Sequence, residues 1–168
     1  MAEPPPLLTA RLRLDALRAE DAAALFACRA DPAVQRWQGW RPQRLEAVQA
    51  FIARQQATAF ATPGEWSQYA IRRHGSPTLV GDLGLHFVDA DTVELGITLA
   101  PGAQHQGLAG EALAAVLALL FGRLGQHRVI ASVDPRNLAS VRLLERLGLR
   151  REAHHRQSVR DGDAWADD

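Results

Sequence analysis

A glycine-bearing loop that runs straight into a long apolar helix constrains this chain more than any other feature. Residues 103–124 open Ala-Gln-His-Gln-Gly-Leu-Ala-Gly-Glu-Ala-Leu and continue through Val116, Leu117, Leu119, Leu120 and Phe121. A helix that is apolar on most faces, here over about 107–124, is a buried one. The run 92–100 before the loop reads as a strand, and 128–133 after the helix reads as another. A strand–helix–strand crossover makes those two strands parallel. The first turn of a helix has N–H groups without partners and carries partial positive charge, so its natural guest is an anion, typically a phosphate. Gly107, Ala109 and Gly110 keep the loop bare enough for a bulky diphosphate to touch backbone. The chain has no lysine, hence no Gly-Lys-Ser/Thr, and the loop is neither a P-loop nor the G-x-G-x-x-G dinucleotide fingerprint.

The other elements follow in order. Residues 7–17 alternate as a first strand, with Leu12 and Leu14 on one face. Glu20-Asp21 leads a helix to about Ala30, which Asp31-Pro32 ends. Trp37-Gln38-Gly39-Trp40-Arg41-Pro42 breaks regular structure, and a second helix spans about 44–59. Three strands, 66–73, 78–88 and 92–100, are joined by short polar turns and predict an antiparallel meander. Asn137 is a good N-cap for a helix whose core stripe is Val141, Leu144 and Leu147, with Gly148 placed to end it. Residues 150–160 read as a further strand before an Asp161-Gly162 turn. These elements predict one α+β domain over 1–168, with a mixed, mostly antiparallel sheet and helices on both faces.

Length and composition fit a single soluble globular domain: 168 residues, 47% hydrophobic and 23% charged. No run of about 18 apolar residues predicts a membrane span. The start, Met-Ala-Glu-Pro-Pro-Pro, lacks the basic and apolar regions of a signal peptide. The lone Cys28 forms no intramolecular disulfide and fits a reducing cytoplasm; its Ala-rich surroundings give it a packing role. Zero net charge does not favour nucleic-acid binding. Charge is uneven along the chain, however. Residues 74–122 hold five acids and no arginine, whereas 123–160 hold nine arginines and three acids. An acidic middle could face a cationic amine and a basic C-terminal part an anionic cofactor, although a mixed surface that merely clusters in sequence explains the same pattern. No metal is expected: His154-His155 is a doublet in a strand pattern, and no H-x-x-x-H is present. A G-x-S-x-G elbow is absent as well.

Two separated motifs, in the right order, carry a family resemblance. Gln104-x-x-Gly107-x-Ala109 resembles the Q/R-x-x-G-x-G/A loop of the GCN5-related N-acetyltransferases (GNAT). Asn137-x-x-Ser140-x-x-Leu143-Leu144-Glu145-x-x-Gly148-Leu149 resembles the signature of their RimJ/RimL-type branch, which includes ribosomal-protein N-terminal acetyltransferases. The resemblance covers essentially the whole chain and implies the GNAT fold and acetyl-CoA as co-substrate. It implies that Gln104, His105, Gln106, Gly107, Leu108, Ala109 and Gly110 hold the pyrophosphate. It implies further that backbone amides of Ile97, Thr98 and Leu99 bind the pantetheine, and that Asn137, Ser140, Leu143 and Arg146 complete the cofactor site. The superfamily's commoner form has an active-site tyrosine where Leu144 stands, which leaves Ser140 as the hydrogen-bond donor to the sulfur. Family members continue past the segment 161–167 into a last strand, and with Asp168 as the final residue that strand is expected to be absent or cut short.

Aminolysis of a thioester needs a deprotonated amine, a polarised carbonyl and a stabilised leaving thiolate. Glu94 is the first candidate base, on one strand face with Gly96 and Thr98. His86 is the second, and alternation alone does not decide whether the two meet. In the family, the segment between the first two helices overhangs the acceptor site, so Trp37 and Trp40 either line a substrate pocket or cap the core. The expected acceptor is a primary amine. A protein N-terminus, an amino sugar, a polyamine or an amino acid would all serve, a homodimer is left open, and a catalytically idle acyl-CoA-binding domain is the alternative.

Overall fold

The computed structural model describes residues 2–168; Met1, the first residue of the domain expected over 1–168, lies outside them. Six strands form one sheet in the order β1-β2-β3-β4-β5-β6. They are β1 (Leu7–Leu8), β2 (Leu12–Ala16), β3 (Trp66–Arg73), β4 (Leu79–Phe87), β5 (Thr92–Leu99) and β6 (Arg128–Ile130). All neighbours are antiparallel except β5 and β6, which the crossover helix makes parallel. The helices are α1 (Ala22–Ala30), α2 (Pro32–Gln35), α3 (Leu45–Ala57), α4 (Leu108–Ala118) and α5 (Leu138–Arg146). The sheet is mixed and mostly antiparallel, with helices on both faces, as the alternation and the crossover predict.

Period-two alternation divides the apolar residues between two cores. Leu83, Leu85, Val93, Leu95 and Leu99 point to one face and pack with Leu108, Leu113, Val116 and Leu120 of α4. Ala70 and Leu79 join Leu17, Leu25 of α1, and Val48 and Ile52 of α3 in the second. Leu108, Ala112, Leu113 and Val116 of α4, and Leu119 and Leu120 just beyond it, are fully or nearly fully buried, as so apolar a helix requires. Past Ala118 the helix widens for one turn, Leu119–Arg123, where the Leu124 amide reaches back to the Leu119 carbonyl.

Two sequence expectations need correction. The first strand is broken: residues 9–11 turn, and β1 folds back on β2 with Leu7 opposite Leu14. The strand expected over 150–160 shrinks to β7 (Val159–Asp161), which pairs with β8 (Ala164–Ala166) in a hairpin apart from the main sheet. Residues 151–160 are exposed throughout and rich in arginine and histidine, so they offer no apolar side to bury against a sheet. β8 lies within the segment 161–167, and the Asp168 backbone pairs with that of His155. Among the described residues, no helix is long and apolar enough to cross a membrane.

Candidate active site

Strand β5 is the spine of the site. It pairs with β4 along its whole length, but with β6 only from Thr92 to Glu94. Beyond Glu94 its outer side is free. The register settles which backbone groups face that side. Ala100 donates to the Val80 carbonyl and Val88 to the Thr92 carbonyl, so the even-numbered residues of β5 spend their backbone groups on β4. Leu95, Ile97 and Leu99 therefore present theirs to the open side, while the Thr98 backbone belongs to the ladder. Of the three expected pantetheine contacts, Ile97 and Leu99 have amides turned that way and Thr98 does not. The Leu99 carbonyl accepts from Gln104 Nε2 at 3.0 Å, which ties the loop to the end of the strand.

The loop is then wound tightly into α4. His105 and Gly107 both have positive φ, 60° and 77°. For Gly107 that conformation is unstrained, and a Cβ there would approach Arg11 Nη2 at 3.4 Å. Among the described residues, the amides of His105, Gln106, Gly107, Leu108, Ala109 and Gly110 donate to no protein acceptor. This is a row of N–H groups at the positive end of a buried helix. Arg11 braces it, with Nη1 on the Gln106 carbonyl at 2.7 Å and Nε on Glu111 at 2.8 Å. Arg73 reaches the Gln106 side chain at 3.1 Å. Neither arginine was a sequence candidate, because the contacts cross about 95 and 33 residues of chain.

Helix α5 closes the other side. Asn137 caps it, accepting from the Ser140 amide at 3.4 Å. Ser140 is half-buried, and its hydroxyl has no protein partner among the described residues. Leu143 leans on the start of α4, within 3.6 Å of where a Gly110 Cβ would be. Arg146 is exposed at the far end. Leu144 instead lines a cavity of about 720 Å³ between the end of α4, β6, α5 and residues 149–155. That cavity contains neither Glu94 nor the loop, so it lies apart from the chemistry.

On the other face of β4 and β5, His86 and Glu94 are cross-strand partners. His86 Nδ1 lies 3.5 Å from Glu94 Oε2, and both side chains are partly exposed. Trp66 stacks on the His86 ring, centroids 5.0 Å apart and planes 17° from parallel. The tryptophans of the 37–42 loop part company. Trp40 packs on Phe51 at 4.6 Å and over Arg29, as a cap on the second core. Trp37 lies between the guanidinium groups of Arg36 and Arg136, at 4.4 and 6.0 Å. Arg136 belongs to the β6–α5 connection, so Trp37 joins the 37–42 loop to that connection.

Cys28 is buried, and burial pushes its thiol up to about 11, which leaves a packing residue and no nucleophile. His154 contacts Asp167 at 2.8 Å. Among the described residues, no three potential metal ligands come together.

A family model described as the acetyltransferase (GNAT) domain matches residues 11–150. The chain belongs to the GNAT acetyltransferases. Uncharacterized N-acetyltransferase YoaA of Bacillus subtilis is 31% identical over 156 residues, 91% of this chain and 87% of YoaA. YnaD of the same organism is 35% identical over 77 residues, 46% of this chain and 45% of YnaD. Mycobacterium smegmatis RimJ, solved in complex with CoA-disulfide, shares the fold with a TM-score of 0.84 at 24% identity, over 99% of this chain and 87% of that one. A GNAT acetyltransferase is an acyltransferase enzyme, so the resemblance read from the Gln104 and Asn137 motifs holds for family, fold and reaction class.

Proposed function

We propose that this GNAT domain moves an acetyl group from acetyl-CoA to a primary amine by direct transfer, with the free N-terminus of a peptide as the leading acceptor class. The observation that carries the reading is the continuity of two sets of unspent N–H groups. The amides of Ile97 and Leu99 face the open side of β5, and the amides of 105–110 follow directly at the head of α4. A ligand with a thioester arm and a diphosphate fits that sequence of donors. Ser140, Asn137 and Leu143 flank it from α5. Small-molecule amines are the second acceptor class.

When bound, acetyl-CoA supplies the activated acetyl thioester. The chain's own groups supply the rest. A β5 amide on the open side donates to the carbonyl oxygen as negative charge builds there. Glu94 accepts the proton that the amine nitrogen loses as its new bond to the carbonyl carbon forms, directly or through one water. As the carbon–sulfur bond breaks, the Ser140 hydroxyl donates a hydrogen bond to the departing sulfur. His86, held flat by Trp66, lies against Glu94 and orients its carboxylate. The same dyad serves a second reading in which His86 is the base, so a test must separate the two.

A screen for CoA release over peptide and small-molecule amines identifies the acceptor. With that acceptor, Glu94→Gln lowers kcat/KM by roughly 10²–10⁴-fold, most steeply at low pH where the amine is protonated. Should Glu94→Gln keep the full rate at every pH while His86→Gln abolishes it, the base is His86. An acetyl-CoA affinity unchanged by Gly107→Glu refutes the cofactor assignment itself.

A further inference from the structure

On the sheet face covered by α1 and α3, side chains fall into cross-strand rows. Trp66, His86 and Glu94 form one row, Gln68, Gly84 and Gly96 the next, and Ala70, Asp82 and Thr98 the third. The middle row has no side chain on β4 or β5. The two glycines are bare for different reasons. A Cβ on Gly84 would sit 2.8 Å from Gln68 Oε1 and 3.0 Å from a Trp66 ring carbon. Side chains from β3 already lie across it. A Cβ on Gly96 would meet nothing within 4 Å, and Gly96 is exposed. The row is therefore a slot, open at Gly96, flanked on β5 by Glu94 and Thr98 and closed at its inner end by Gln68.

Gln68 is not free to turn over. Its Nε2 donates to Asp82 Oδ2 at 2.6 Å, and the same oxygen accepts from Arg29 Nη2 at 2.8 Å. Asp82 and Arg29 are buried, with side-chain exposures of 0% and 9%. An ionised carboxylate only accepts, so the amide must offer its nitrogen to Asp82 and turn its oxygen over Gly84. Among the described residues, no protein donor reaches that oxygen. This leaves a pinned acceptor one strand away from a bare glycine.

We infer that Gln68 is a specificity-determining residue of the acetyl transfer proposed above: its Oε1 accepts an N–H of the acceptor while the acceptor's amine lies in the Gly96 slot beside Glu94. The inference rests on that reading of the function. Neighbouring strands are about 4.8 Å apart, so an oxygen over β4 is roughly one such spacing from Gly96. An amine and an amide N–H two carbons apart span that gap. The pair occurs at the free N-terminus of a peptide and is missing from a simple monoamine. The bare Gly96 lets the first residue of the peptide approach the backbone, which favours small first residues.

The test compares alanylalanine amide with its analogue methylated on the central peptide nitrogen, which lacks the N–H. Both are titrated into the full chain with CoA present, observed at the backbone amides by NMR. Wild-type protein binds the parent with shifts at Gly96 and Gly84, and the methylated analogue roughly tenfold more weakly, the upper range for one hydrogen bond. In Gln68→Met the two bind equally. Gly96→Ala leaves the melting temperature unchanged and weakens both. A preference for the N–H that survives Gln68→Met, shifts confined to another surface, or no binding of either peptide would overturn the inference. Acetylation assays separate its failure from that of the reaction. Transfer to both peptides at equal rate sinks the role of Gln68 and leaves acetyl transfer standing. Binding in the slot with no transfer to any amine sinks the acetyl-transfer reading and leaves the slot.

Discussion

At the scale of single residues, the proposed chemistry turns on Leu144 and Ser140. A leucine cannot donate a proton, and Leu144 faces the cavity behind β6. Among the described residues the Ser140 hydroxyl has no protein partner, one turn from the helix start, with Leu143 beside it on the α4 side. A serine is a weak acid, so the role proposed for it is one hydrogen bond to a developing thiolate. Ser140→Ala is expected to lower kcat with little change in acetyl-CoA affinity, by up to roughly 2–4 kcal/mol of transition-state stabilisation if the site is well preorganised. Single-turnover rates with a saturating acceptor measure it, and a wild-type rate would reduce Ser140 to a helix residue. Trp37 and Trp40 separate by the same kind of reasoning. Trp37→Ala raises the acceptor KM more than it lowers kcat, the mark of lost uniform binding, whereas Trp40→Ala lowers the melting temperature because it uncovers Phe51 and Arg29. The sequence could not divide these roles, since both tryptophans lie in one irregular hexapeptide. It could not join His86 to Glu94 either. Period two places each on a face, but their meeting depends on the three-residue turn at 89–91 that sets Val88 opposite Thr92.

Elements were more legible than contacts. The meander was readable because each strand ends in a turn with its own chemistry, and β3 spans the predicted residues Trp66–Arg73. The loop and α4 were readable because bare residues followed by an unbroken apolar helix have few other uses. What supports that loop was hidden. Glu111 accepts from the Arg11 backbone amide, from Arg11 Nε and from Thr9, so the first turn of α4 is clamped to the β1–β2 turn. These donors, Thr9 first, hold the Glu111 carboxyl below its usual range. A depressed carboxylate contributes stability that is complete above the unfolded value, near 4.5, and is lost as pH falls through the folded value. Wild-type protein should therefore lose stability below about pH 4.5, and Glu111→Gln should be less stable near neutrality with a flatter acid limb. Chemical denaturation across pH measures both; parallel curves would show that Glu111 is uncoupled from folding. Because Arg11 also holds the Gln106 carbonyl, the same variant weakens acetyl-CoA binding.

Charge is where the whole molecule departs most from its sequence. The acidic middle is not an acidic patch: Asp82 is neutralised by Arg29, Glu111 by Arg11, and Asp89 is occupied by the Asp91 and Thr92 amides of its own turn. Glu94, whose partner is His86 at 3.5 Å, lies on the same sheet face as the buried Asp82–Arg29 pair. Arginines gather instead around Asp161, which Arg41 and Arg136 share. A long-range field selecting cationic acceptors is therefore not expected, and acceptor choice falls to short-range groups such as Gln68. The strongest ion cluster is structural and was missed, because Asp15, Asp21 and Arg72 are far apart in the chain. Arg72 is buried and donates to Asp15 at 2.8 Å, to both Asp21 oxygens at 2.5 and 2.8 Å, and to the Pro77 carbonyl at 2.8 Å. It locks β2, β3 and the start of α1 together on the edge of the sheet away from the site. Removing it strands the buried Asp21 carboxylate and leaves Asp15 with only its exposed partners Arg13 and Arg18, which costs roughly 3–5 kcal/mol. Arg72→Met should lower the melting temperature by about 10 °C, from roughly 2–4 °C per kcal/mol at this size. Adding Asp15→Asn and Asp21→Asn to Arg72→Met should restore much of the loss, because the stranded charge and not the lost pair is the main penalty. Calorimetry of the single and triple variants decides it: a triple variant no more stable than the single one would mean that the guanidinium's own hydrogen bonds hold this edge of the sheet.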